Sequence, residues 1–129
     1  MKWKISGDRP IYQQLTEQIT ERIVSGLFPA GAKMPSVRDL AAEAEVNPNT
    51  MQRALADLER EGLLYTQRTS GRFVTEDREM IGKVRQQLAQ GRIADFLSSM
   101  RLIGFSGTEA VELLRRQAEK EEGERNEHE

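Results

Sequence analysis

Five hydrogen-bonding side chains lie within the seven residues NPNTMQR, and their types suit contacts with nucleic acid. They are Asn47, Asn49, Thr50, Gln52 and Arg53. Asn and Gln can pair with adenine through two hydrogen bonds, Arg can pair with guanine in the same way, and Thr can donate to a phosphate at the positive end of a helix. Asn47 and Thr50 also have an alternative role in closing the first turn of a helix, and for Asn47 alone this capping role is the preferred interpretation.

These side chains need a helix to present them, and the residues that follow Asn47 have the pattern of one. Asn47 can cap the helix, Pro48 suits its first position, and Gly62 can end it. One apolar face is predicted to be buried, and its residues are Met51, Leu55 and Leu58.

Two further helices are predicted ahead of this one, and a hairpin is predicted behind it. The first begins near Pro10 and carries an apolar residue every four positions, at Ile11, Leu15, Ile19 and Ile23. The second is short, with Ser36 as its N-cap and Asp39 in the spacing of a capping box, and its distance from Asn47 is typical of a helix-turn-helix. Residues 64–67 and 72–75 are β-prone, with turn residues between them. The fold class is therefore mainly α with a small β-hairpin wing, a winged helix-turn-helix.

Four residues outside the third helix complete the predicted contact surface. Arg38 lies early in the second helix, where its side chain could reach the same DNA strand, although an ordinary solvated arginine is the alternative interpretation. Arg68 and Arg72 flank the hairpin tip, and Gly71 permits close approach of the backbone there. Hairpin wings commonly follow a DNA backbone or minor groove, so we expect these residues to contact phosphates.

Residues 76–129 are predicted to form a second region that is made of two helices and an acidic tail without structure. The longer helix should cover residues 76–103, with a possible kink near Gly91, and the second should begin at Ser106. Two helices cannot bury all of their apolar side chains against each other, so we expect a homodimer, with packing on the winged domain of the same chain as the alternative. The dimerisation residues would be Ile81, Val84, Leu88, Ile93, Leu97, Met100, Val111 and Leu114. The first domain then covers residues 1–75.

Composition excludes several other classes of protein. The chain has no cysteine, its one histidine is His128, and its formal net charge is −2. An enzyme would lack an obvious nucleophile, general base or metal site, so we expect no catalysis, no cofactor and no metal. There is no secretory signal and no apolar run near the roughly 20 residues of a membrane span, which predicts a cytoplasmic protein. A winged-helix adaptor that binds protein is the alternative function, and it would need an apolar patch on the third helix.

Residues 10–74 resemble the DNA-binding domain of the GntR family of bacterial transcription regulators. The resemblance rests on the motifs G-x-x-P-x-G-x-x-x-P-S-x-R-x-L-A and V-N-P-N-T-x-x-R-A-L-x-x-L-E-x-E-G. It implies a homodimer that binds a double-stranded DNA operator, with contacts from Arg38, Asn49, Thr50, Gln52 and Gly71. The wing reads R-T-S-G-R-F-V where the family often has R-G-x-G-T-F-V, so its contacts follow less directly.

The short region after residue 75 resembles that of the YtrA subfamily, whose members have a two-helix dimerisation region and often govern transporter operons. A repressor that occupies an inverted repeat is the expected function. No cluster of residues marks a pocket for a small-molecule effector. Binding of a ligand between the helical pairs of a dimer and control by protein concentration alone are both open.

Overall fold

The computed structural model describes residues 2–127 and contains five helices and one hairpin within them. The helices are α1 (Ile11–Val24), α2 (Val37–Ala44), α3 (Pro48–Arg60), α4 (Arg78–Leu102) and α5 (Gly107–Glu127), and the strands are β1 (Leu64–Gln67) and β2 (Gly71–Val74). The predicted fold class is confirmed. The chain divides into two compact units, Met1–Gln86 and Gln87–Glu129.

The core of the first unit is built on α3, which packs against α1, α2 and β1. The apolar residues of α1 and α3 recur at helical spacing, so each helix has one buried face. The side chains of that core that are completely inaccessible to solvent include Leu15, Ile19, Met51, Leu55 and Leu58. Burial of a side chain of this size stabilises the fold by about 1.5–3 kcal/mol.

Local hydrogen bonds start the two helices of the helix-turn-helix where the sequence predicts. The Oγ atom of Ser36 accepts a hydrogen bond from the backbone N–H of Asp39 at 3.1 Å. The Oδ1 atom of Asn47 accepts one from the N–H of Asn49 at 2.7 Å, with Pro48 at the first helical position. Each cap satisfies an N–H group that has no partner within its own helix.

A third segment of the chain pairs with the hairpin of the wing, and the sequence pattern does not reveal it. β1 and β2 pair antiparallel, with Leu64 opposite Val74 and Gln67 opposite Gly71. On the other side of β2, Lys33 forms an isolated bridge with Phe73. The N–H of Met34 donates to the carbonyl of Arg72 at 2.8 Å, which holds this segment to the wing. The stretch FPAGAKMP, which connects α1 to α2, therefore fixes the hairpin in place.

Residues 2–6 form a strap along α1 that the sequence analysis did not predict. The side-chain amide of Gln14 exchanges hydrogen bonds with the backbone N–H and carbonyl of Ser6, both at 2.8 Å. Gln18 does the same with Lys4, at 2.9 and 2.7 Å. Four helical residues advance by about 6 Å, close to the advance of two extended residues, so the two periods match. The strap makes residues 2–6 part of the first unit.

The first unit ends later than the expected boundary at residue 75. Met80, Ile81 and Val84, in the first two turns of α4, are half-buried against its core. The apolar character of Ile81 and Val84 is therefore explained by packing on the winged domain of the same chain, which is the alternative to dimerisation. The compact unit extends to Gln86 for this reason.

The second unit consists of the rest of α4, a turn and α5. Gly104 adopts a φ of +97°, and Ser106 and Glu109 form a reciprocal capping box at 2.9 and 3.2 Å. α5 then continues to Glu127, which corrects the expectation of an acidic tail without structure up to that residue. Ion pairs of Arg115 with Glu112 and Glu119 lie one turn apart and support the helix after its apolar pattern ends.

Candidate nucleic-acid interface

The N-terminal half of α3 presents a polar face to solvent and an apolar face to the core. Asn49, Gln52 and Arg53 are exposed, and Thr50 is half-buried. Met51, between them in sequence, is fully buried on the opposite side. The recognition residues named from the sequence are thus brought together on one accessible surface, without an apolar patch.

Asn47 lies at the edge of this surface with its amide oxygen already engaged. That oxygen accepts the N–H of Asn49, and the Asn47 backbone is extended, with φ −64° and ψ 134°. This geometry is that of an N-cap, as the preferred interpretation of Asn47 predicted. Its side-chain NH₂ group keeps its capacity to donate.

Three of the predicted cations have no carboxylate partner in the part of the chain that the structure describes. They are Arg38, Arg53 and Arg68, all exposed, whereas Arg9, Arg60, Arg115 and Arg116 are held in ion pairs. The first turn of α3 contains no acidic residue. Unpaired guanidinium groups suit a polyanion, because each group can replace a counterion at a phosphate.

Arg72 differs from the other predicted contacts because it is paired within the protein. Its Nε atom donates to the Glu59 carboxylate at 3.0 Å, and the Arg72 side chain is only 16% exposed. Thr66 donates to the same carboxylate oxygen. The phosphate contact expected of Arg72 did not take account of Glu59, which lies thirteen residues earlier in the chain.

The electrostatics of Glu59 follow from these partners. Burial of the carboxyl raises the pKa of Glu59, but the hydrogen bonds from Thr66 and Arg72 and the charge of Arg72 lower it by more. The pKa of Glu59 therefore lies below its ordinary value. At neutral pH the carboxylate is ionised, and it ties the C-terminal end of α3 to both strands of the wing.

Lys33 is a cation of the wing that the sequence analysis missed. Its ammonium group is exposed and has no carboxylate partner among residues 2–127. A Cβ atom at Gly71 would lie 3.1 Å from Cε of Lys33, and Gly71 has a φ of +106°, which favours glycine. The lysine side chain therefore lies against Gly71, the first residue of β2. A single basic residue in a connector carries no periodic signal that could have identified it.

The remaining predicted dimerisation residues lie on helices that are largely open to solvent. No residue of α4 is buried, and Ile93 is 56% exposed. On α5, Val111 and Leu114 are 58% and 49% exposed. Leu88, Leu97 and Met100 are half-buried. Three exposed apolar residues near the turn were not named from the sequence: Leu102, Ile103 and Leu113.

Other kinds of site find no support among residues 2–127. No group of three or more His, Cys, Asp or Glu side chains is arranged there to hold a metal ion. None of the helices described is long and apolar enough to cross a membrane. His128 lies outside the described residues.

Comparison with known proteins identifies the first unit. Residues 11–74 match the model of "Bacterial regulatory proteins, gntR family". The chain is 34% identical to the HTH-type transcriptional regulator YhcF of Bacillus subtilis over 109 residues. This aligned region covers 84% of this chain and 90% of the relative. It is 43% identical over 68 residues to the HTH-type transcriptional repressor YtrA of the same organism, which covers 53% of this chain and 52% of the relative.

Solved structures agree with this assignment. A GntR family transcriptional regulator from Listeria monocytogenes superimposes with a TM-score of 0.81 at 36% identity, covering 87% of this chain and 98% of that one. The DNA-binding domain of AraR, solved in complex with its operator ORX1, has a TM-score of 0.50 at 30% identity, covering 58% of this chain and 92% of that one. The chain therefore belongs to the gntR family of bacterial regulatory proteins, whose members similar to it include YhcF and YtrA, and it has a winged helix-turn-helix DNA-binding domain.

Proposed function

We propose that the chain is a homodimeric repressor that binds an inverted-repeat operator in the bacterial cytoplasm. The observation that carries the DNA-binding part is the division of α3 into a buried apolar face and an exposed polar one. A helix that packs this tightly on its own domain can enter a major groove as a rigid body, so Asn49, Gln52 and Arg53 meet base edges and phosphates. Arg38, Arg68 and Lys33 supply further phosphate contacts around it.

The exposed apolar side chains of the second unit support the homodimer. Ile93, Leu102, Ile103, Val111 and Leu114 are each between 49% and 87% exposed. Clusters of this kind mark surfaces for association in water-soluble proteins. A two-fold axis would let two copies cover the same residues on each other. The same axis would relate two copies of α3 and place them on successive turns of DNA.

Selection from a random-sequence duplex library at near-physiological salt tests the proposal. We expect enrichment of an inverted repeat whose half-sites are about 10 base pairs apart, centre to centre, or a multiple of that spacing. Salt must be fixed because phosphate contacts dominate non-specific binding. Enrichment of an unpaired half-site would overturn the dimer, and no enrichment would overturn sequence-specific binding. The transporter operon expected from the YtrA resemblance is the first genomic location to search for the repeat.

The homodimer has its own test, with a matched control in the first unit. Ile93→Glu should shift the protein from dimer to monomer in sedimentation velocity, because a charge would be buried without a partner. Leu27 is also 56% exposed but lies in the first unit, and Leu27→Glu should leave the dimer intact. If both variants keep the wild-type sedimentation coefficient, the surface around Ile93 is not the dimer interface.

A further inference from the structure

The side chain of Arg53 lies over an aromatic ring on another helix. The Cζ atom of Arg53 lies 3.6 Å from the ring centroid of Tyr12, which is in the first turn of α1. Tyr12 is half-buried, whereas Arg53 is exposed. This is close contact for a cation over an aromatic ring, an arrangement that the quadrupole of the ring favours. Neither residue type nor spacing in the sequence indicates the pair, since 41 residues separate the two.

The carboxylate that would ordinarily compete for Arg53 is engaged elsewhere. Asp57 lies four residues after Arg53, at the spacing at which opposite charges pair along a helix. The Asp57 carboxylate instead accepts a hydrogen bond from Arg60, one turn further along α3. Within the described residues Arg53 consequently has a ring as its contact and no carboxylate. Its positive charge is not neutralised by the protein.

Stacking and phosphate binding use different parts of the guanidinium group. The Tyr12 ring contacts the flat face of the group, while the five N–H donors of an arginine point outward in the plane. An arginine held by its face can therefore still donate two parallel hydrogen bonds to a phosphate. Because Arg53 lies four residues after Asn49, the two share one side of α3. The stacked guanidinium thus lies beside the recognition surface, toward α1.

We propose that Tyr12 is a positioning residue for DNA binding, which holds Arg53 ready for a backbone phosphate. The inference rests on the proposed operator binding. A free arginine side chain loses rotamer freedom when it binds, and a side chain that is already restrained loses less. Tyr12 contributes through Arg53 and makes no contact with bases in this scheme. Its hydroxyl accepts a hydrogen bond from Gln13 at 3.3 Å, and the stacking itself needs only the ring.

A double-mutant cycle on the duplex recovered by the selection above tests the inference. Tyr12→Leu should weaken binding of the dimer about five- to thirtyfold, because each protomer loses one exposed cation–π contact. Tyr12→Phe keeps the ring and should bind within about twofold of wild type. In an Arg53→Gln background the leucine variant should have no further effect. Arg38→Gln is the control background, because Arg38 lies on α2 and is not part of the stack on Tyr12, so the two effects should add.

The readout separates positioning from a merely structural role. Melting temperatures of all variants are measured alongside, and Tyr12→Met, which fills similar space without a ring, replaces Tyr12→Leu if the latter is unstable. Equal weakening by Tyr12→Leu with and without Arg53 would overturn the inference, as would an equal loss in Tyr12→Phe. If wild-type protein retains no duplex in the selection, operator binding itself has failed, and that result is distinct from an absent coupling.

Discussion

Substitution of Arg72 by glutamine should reveal whether this wing arginine serves stability or DNA binding. The change removes the ion pair between Arg72 and Glu59, in which the Nε and Oε1 atoms are 3.0 Å apart. The Arg72 side chain is 16% exposed and the Glu59 side chain is 30% exposed. An exposed ion pair contributes about 0.2–1 kcal/mol, and breaking a fully buried one costs about 3–5 kcal/mol. The burial here is intermediate, and Thr66 still bonds the Glu59 carboxylate. We therefore expect a loss of about 1–2 kcal/mol in the free energy of unfolding.

Two assays on the same protein preparations separate the roles. For a domain of 60–100 residues, 1 kcal/mol corresponds to a shift of about 4–8 °C in melting temperature, so Arg72→Gln should melt measurably lower. Its binding to duplex DNA, followed over a range of salt concentrations, should keep the wild-type slope. Arg68→Gln is the matched control, because Arg68 is exposed and has no ion pair among the described residues. It should melt like wild type, yet lose about 1.8 from the slope of log K against log salt, about 0.9 for the Arg68 of each protomer in the proposed dimer.

The opposite pattern would refute this reasoning. If Arg72→Gln melts like wild type and flattens the salt slope by about 1.8, the Arg72 of each protomer leaves Glu59 to contact a phosphate in the complex. Arg72 would then have the role expected from the sequence, and the pair with Glu59 would exist only in the free protein.

Three further outcomes follow from individual contacts. The stability contributed by ionised Glu59 should be complete at neutral pH. It should be lost as the pH falls through the pKa of Glu59, which lies below the ordinary glutamate value of about 4.3. In urea unfolding, the free energies of wild type and Glu59→Gln should therefore converge at acid pH. Asn47→Ala should lower the free energy of unfolding by about 0.5–2 kcal/mol, because the cap is lost. Asn47→Asp should retain the stability and weaken DNA binding by charge repulsion. If the alanine variant is as stable as wild type, Asn47 does not act as a cap. Gly62→Ala should lower the melting temperature, because φ is +88° and the added Cβ would lie 3.3 Å from Cε of Met80.

The sequence was informative where a pattern repeats at the period of the structure. The apolar spacing of Met51, Leu55 and Leu58 predicts which side of α3 is buried, and it therefore also predicts that Gln52 and Arg53 are exposed. The caps at Ser36 and Asn47 were identifiable because their side chains bond to residues two or three positions away. Local chemistry of this kind needs no knowledge of the tertiary structure.

Contacts between distant residues could not be predicted in the same way. The pairing of Arg72 with Glu59, and the bridge between Lys33 and Phe73, depend on how the hairpin folds back onto earlier elements. The strap on Gln14 joins polar groups that have no periodic apolar signal. The helix up to Glu127 was missed for a different reason, because it persists through helix-forming charged residues after its apolar pattern has ended.

The division of α3 into two faces separates the residues that we propose read the operator from those on which the fold depends. Substitutions at Asn49 and Gln52 alter groups that contact solvent in the free protein, so they should have little effect on the core beneath. Substitutions at Met51 or Leu55 would do the reverse, and create cavities. Over evolutionary time a chain of this kind can acquire a new operator through one or two exposed positions while its fold stays the same. Duplicated copies of such a gene could therefore diverge quickly in the promoters that they control.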